Sequence, residues 1–92
     1  GKLPVKTDRV EFVDYTGQRK ALELRVGAIQ PGMRVLLVDE WIETGAQSKA
    51  AIELIENQGG VVAGVAAINI DVNDHTRPLL AKYNCEAAMP FD

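Results

Sequence analysis

Four side chains able to do chemistry fall close together: Asp39, Glu40, Glu43 and Thr44, followed at once by Gly45, Ala46 and Gln47. Two adjacent carboxylates can accept hydrogen bonds from neighbouring hydroxyls, or hold a hydrated Mg²⁺. They also repel one another, so a cation or a hydroxyl donor is expected beside them. A Thr-Gly turn that opens a helix presents backbone N–H groups, and these favour a phosphate. A ligand with a diol at one end and a phosphate at the other, such as a ribose 5-phosphate, satisfies both halves. Thr44 also suits a helix N-cap, worth ~1 kcal/mol. The two roles are compatible, because a cap and a phosphate cradle use the same N–H groups. Gly45 lets a ligand approach the backbone closely, and Gln47 adds a neutral, adaptable donor. Glu43 is a favourable charge near a helix N-terminus. A bound phosphate would repel it, so a functional Glu43 must point away from that phosphate.

The surrounding pattern supplies the elements that must hold these groups. Val35 to Val38 has the length and branching of a buried strand. From Ala46 to Gln58 apolar Ala51, Leu54 and Ile55 share a turn-spaced face with Ser48, Lys49, Glu53, Glu56 and Asn57 elsewhere, which predicts a helix. Gly59-Gly60 stops it. Val61 to Ile70 is almost wholly apolar, the mark of a strand covered on both faces. Strand, helix, strand makes a parallel βαβ unit, and in such sheets ligands sit beyond the carboxyl ends of the strands.

Upstream, residues 9–15 and 21–26 alternate polar with apolar around the turn-rich stretch 16–20, which predicts a β-hairpin with Tyr15 at its tip. An extended lead-in, Gly1 to Asp8, precedes it, and Pro31-Gly32 marks the next turn. Downstream, Thr76 as a cap and Pro78 near the start predict a short helix to Tyr83. Cys85 to Met89 reads as a last short strand or loop. Trp41 is either core or an aromatic wall against which a flat ring stacks. His75 and Arg77 read as solvated loop residues, and Cys85 as a small buried hydrophobe.

Ninety-two residues make one domain at most. With 47% hydrophobic and 25% charged residues the composition is that of an ordinary globular chain. A net charge of −3 and no Lys/Arg stripe leave no electrostatic footprint for nucleic acid. No apolar run reaches membrane-spanning length, and no signal peptide is visible. A single cysteine excludes an internal disulfide and fits a reducing cytoplasm, and with one histidine besides, a zinc site is not expected.

Val35-Leu-Leu-Val-Asp-Glu-Trp-Ile-Glu-Thr-Gly45 resembles the phosphoribosyl-pyrophosphate (PRPP) signature of type I phosphoribosyltransferases: an apolar strand, two acids, two apolar residues, a variable residue and Thr-Gly. Ala28-Ile-Gln-Pro-Gly32 and Gly1-Lys-Leu-Pro4 are similar to the adenine phosphoribosyltransferase branch. Two departures stand out. Ala46 and Gln47 follow Gly45 where the motif commonly has Gly-Thr, and Trp41 replaces a smaller aliphatic.

The resemblance implies an α/β fold, a parallel sheet with covering helices and a hairpin hood at about 9–26, with the PRPP-motif unit at about 34–70. It implies that residues 1–92 are the second half of a domain whose pyrophosphate loop lies upstream, and that they are inactive alone. The implied reaction joins a nucleobase to the ribose C1 of PRPP with release of pyrophosphate and with Mg²⁺. By the same resemblance Asp39 and Glu40 meet the ribose hydroxyls, and touch the metal only through Mg-PRPP. Thr44, Gly45, Ala46 and Gln47 hold the 5′-phosphate. Glu43 takes acid or base work on the purine, as in the 6-oxopurine branch, and Tyr15 shields the ligand from water. Asn69 to Asn73 has no lysine for a 6-oxo group, which favours an adenine-like base. A homodimer in the cytoplasm completes the expectation. Two alternatives stay open: a PRPP-sensing regulator of the same fold, left open by Ala46-Gln47, and a response-regulator receiver, suggested by the acids after two strands.

Overall fold

A computed structural model describes residues 6–89, so the Gly1 to Pro4 stretch lies outside the described residues. Two sheets share one helix. Strands β1 (Thr7–Val13) and β2 (Arg19–Arg25) form an antiparallel hairpin. Strands β3 (Arg34–Ile42), β4 (Val61–Ile70) and β5 (Cys85–Ala87) form a parallel sheet in that order. Helix α1 (Ala46–Asn57) joins β3 to β4, and α2 (Arg77–Lys82) joins β4 to β5.

The alternating patterns make the hairpin. Asp8, Val10 and Phe12 of β1, with Ala21, Leu22 and Leu24 of β2, are its half-buried strand positions. The hairpin packs on α1, mainly through β1, and Val10, Phe12, Ala46 and Ala50 line one groove between them. The buried residues of α1 are Ser48, Ala50, Ile52, Leu54 and Ile55. The face is therefore broader than Ala51, Leu54 and Ile55, because α1 is packed on two sides, by the hairpin and by the sheet. Ala51 itself is only half-buried.

The core lies between the parallel sheet and the two helices: Ile42, Val65, Ala67 and Ile70 from the strands, Ile52 from α1 and Leu79 from α2. Cys85 packs against this cluster, and burial pushes its thiol pKa up. It behaves as the small hydrophobe its surroundings ask for.

The expectation that β4 is covered on both faces is not met. α1 and α2 cover one face, while Leu36 (61% exposed), Val38 (69%) and Ile68 (57%) stand open on the other. The apolar run records what the strand's side chains suit; the described elements supply only one covering layer. Strand β3 also runs past Val38. Its ladder to β4 continues through Asp39↔Ala67, Trp41↔Asn69 and Ile42↔Ile70, so both acids lie inside the strand rather than after it. Neither threonine makes a side-chain bond from the N-cap position of its helix. Gly45, at φ 77°, occupies the N-cap position of α1, and Thr76 that of α2, without a side-chain cap bond. Thr76 is instead fully buried, donating from Oγ1 to the Asp71 carbonyl at 2.6 Å.

Candidate functional site

A cleft opens where the carboxyl end of β3 meets the start of α1 and the hairpin tip. Asp14, Tyr15, Asp39, Trp41 and the run Ile42 to Ser48 line it. The structure thus brings together Asp39, Glu43, Thr44, Gly45, Ala46, Gln47 and Tyr15. Glu40 is not among the lining residues. Adjacent strand residues point to opposite faces, so Asp39 is half-buried at the cleft while Glu40 is exposed. The Glu40 amide donates to Asp39 Oδ1 at 2.7 Å, which fixes that carboxylate.

The turn that opens α1 is shaped by its backbone. Gly45 holds a left-handed conformation that favours glycine. Thr44 Oγ1 accepts from the Ala46 amide at 3.3 Å, and Lys49 N–H closes the first helical bond on Gly45 C=O at 2.8 Å. The amides of Gln47 and Ser48 fall where a helix leaves donors without intrahelical partners. No acidic side chain stands in this first turn to compete for an anion.

Two cleft residues escaped the sequence reading. Ser48, 3% exposed, sits one position beyond Gln47 and adds a hydroxyl-bearing side chain to the lining. Asp14 organises the hairpin tip. Its Oδ1 accepts from Thr16 N (2.9 Å), Thr16 Oγ1 (2.6 Å) and Gln18 N (2.9 Å), and Lys20 Nζ lies 2.9 Å from Oδ2. The Thr16 hydroxyl first, then Lys20, hold its carboxyl well below the usual carboxylate range. An Asp two residues before a Thr, in a polar turn, was the available signal.

Loop Asp71–Thr76 buttresses the cleft from outside. Trp41 is not core: it is 54% exposed, and its indole Nε1 donates to Asp71 Oδ1 at 3.1 Å. Asn73 Nδ2 donates to Glu43 C=O at 2.8 Å, and Lys49 Nζ to His75 C=O at 2.6 Å. His75 and Arg77 are exposed, as expected, and Arg77 pairs with Asp74. Among the described residues no trio of His, Cys, Asp or Glu is placed to hold a metal, and no helix is long and apolar enough to cross a membrane.

Searched against family models, the chain matches none. Among curated proteins, the adenine phosphoribosyltransferase of Sorangium cellulosum is 45% identical over 92 residues, which is 99% of this chain and 45% of that protein. The one from Clostridium perfringens is 48% identical over 66 residues, 72% of this chain and 38% of that protein. Among solved structures, the adenine phosphoribosyltransferase of Thermoanaerobacter pseudethanolicus matches with a TM-score of 0.78 at 30% identity, covering 95% of this chain and 50% of that one. The Saccharomyces cerevisiae protein, solved with adenine, has a TM-score of 0.76 at 22% identity and shares the fold. The chain spans about half the length of the curated relatives it matches over its whole length. The fold and the acid-and-turn motif are those of a type I phosphoribosyltransferase. Within that class the chain belongs to the adenine phosphoribosyltransferase-like family.

Proposed function

We propose that the complete protein transfers a phosphoribosyl group from PRPP to an adenine-like base, and that this chain supplies the ribose-phosphate end of the site. The observation that carries the reading is the cleft itself, where Asp39, the Thr44–Ser48 turn and the hairpin tip converge. The cleft encloses about 90 Å³, well under the ~300–1,000 Å³ of a whole ligand pocket. We read these residues as framing one part of a nucleotide site.

Asp39 accepts hydrogen bonds from the ribose hydroxyls, and its charge steadies the positive character that develops at C1 as pyrophosphate departs. The turn amides, with the Gln47 side chain, hold the 5′-phosphate and so fix the ribose against the base. Glu43 reaches away from the phosphate toward the base, where it holds or moves a proton. Trp41 offers a flat face to the base, and Tyr15 covers the cleft against water. Mg²⁺ suits this donor set as an ion brought in on the diphosphate: Asp39 and Glu40 are hard oxygen donors but too few to cage it. Bound, it neutralises the leaving pyrophosphate. The cytoplasmic setting and a homodimeric state belong to the same reading and are supported by the family resemblance.

Calorimetry on the complete protein tests it. Asp39→Asn removes a charged acceptor inside the cleft and should weaken PRPP at least ~10-fold. Glu40→Gln, outside the lining, should cost only ~2- to 3-fold, and circular dichroism should show both variants folded. Equal effects, the reverse order, or no effect would refute the assignment. A non-catalytic PRPP-binding regulator is the second reading, favoured by Ala46-Gln47 in the phosphate turn. Formation of nucleotide from base and PRPP by the complete protein separates the two.

A further inference from the structure

We infer that Asp71 is a positioning residue for the base: its carboxylate holds the Trp41 indole in the one orientation that makes it a wall of the cleft. The inference rests on the reading of that cleft as a nucleotide site. Asp71 is not itself among the lining residues, and lies 30 positions from Trp41 in the chain. A tryptophan 54% exposed at the end of a strand has several rotamers open to it. The bond from Nε1 to Asp71 Oδ1, at 3.1 Å, selects one of them.

Asp71 can do this because its own backbone is fixed at both polar groups. Its N–H donates to Ile42 C=O at 2.8 Å, and its C=O accepts from the fully buried Thr76 Oγ1 at 2.6 Å. Both bonds are made within the protein, so the carboxylate is presented to Trp41 before any ligand arrives. An indole ordered in advance spares a stacked ring the cost of ordering it on binding. The aliphatic side chain common at this place in the motif has no N–H and could not use such an anchor. Trp41 and Asp71 therefore act as a pair.

The chain's single tryptophan reports on the test directly. In the complete protein, with any tryptophan outside these 92 residues replaced by phenylalanine, Asp71→Ala should lower the steady-state fluorescence anisotropy of Trp41. It should also weaken AMP by about 2- to 10-fold, the range of one net hydrogen bond. Ribose 5-phosphate, which has no base, should bind Asp71→Ala and the parent alike. Asp71→Asn keeps an acceptor oxygen and should restore both anisotropy and AMP affinity. Equal loss of AMP and ribose 5-phosphate would show a general structural role and overturn the inference. So would unchanged anisotropy in Asp71→Ala, or an Asn variant as impaired as the Ala variant. If the parent binds neither ligand, the nucleotide reading of the cleft falls first. The anisotropy comparison then still decides whether Asp71 orders the ring.

Discussion

Gln58 is expected to govern how firmly the hairpin sits over the cleft. It stands just past the end of α1 and ties to it both strands at the hairpin's base and the connection that follows them. Its Oε1 accepts from Ile29 N–H at 3.0 Å. Its Nε2 donates to Asp8 Oδ2 at 3.0 Å and to Arg25 C=O at 2.9 Å. Gln58→Ala deletes all three bonds and leaves the half-buried Ile29 amide without this partner. Each such bond is worth about 0.5–1.5 kcal/mol net, and solvent exposure of Arg25 keeps that contribution at the low end. The sum is about 2–3 kcal/mol, all of it at the joint between hairpin and helix. β1 still packs on α1, so the hairpin should open more often without leaving altogether. Hydrogen exchange reads this directly, because local opening is measured on the same free-energy scale. Amides of β1 and β2 should exchange roughly 30- to 150-fold faster, while those of β3 and β4 keep their protection. Two results would refute the reasoning. If only Ile29 changes, apolar packing alone holds the hairpin; if every strand loses protection together, Gln58 supports the whole fold and not this joint.

Two further perturbations have signs that follow from the structure. Gly60→Ala would place a Cβ 2.6 Å from Ile29 Cγ2 and 2.8 Å from Ile55 Cγ2, so thermal melting should show a loss of about 1–3 kcal/mol; an unchanged melting temperature would mean that both isoleucines can step aside freely. For the hairpin tip, Asp14 has a lowered pKa in the folded state, so its contribution is present above the usual carboxylate value and is lost only as pH falls below it. Lys20, raised by Asp14, contributes below its ordinary value and loses this only as pH rises beyond it. The Thr16 and Gln18 amide shifts should therefore stay flat from about pH 5 to about pH 9; a titration step inside that window would break the pairing scheme.

The sequence alone determined the order of the elements and most of the residues that line the cleft, because both are written locally. Period-two alternation marks the hairpin, the run Val61 to Ile70 marks β4, Gly59-Gly60 ends α1, and the acids, Thr44 and Gly45 lie within seven residues of one another. What escaped depends on partners distant in the chain. β3 extends to Ile42 because β4 pairs with it there, whereas the local pattern stops at Val38. The open face of the parallel sheet is invisible to an apolar run, which shows that a strand is fit to be buried and not whether anything lies over it. Trp41 suits core and wall equally by its pattern, and only the structure, with 54% exposure and an acceptor 30 residues away, excludes the core. Gln58 looks like an ordinary polar helix end until Asp8, 50 residues earlier, is brought against it. Hydrogen bonds and side-chain packing act over a few ångströms, so a pattern read along the chain captures only those whose partners are neighbours in sequence. Tertiary structure supplied the rest.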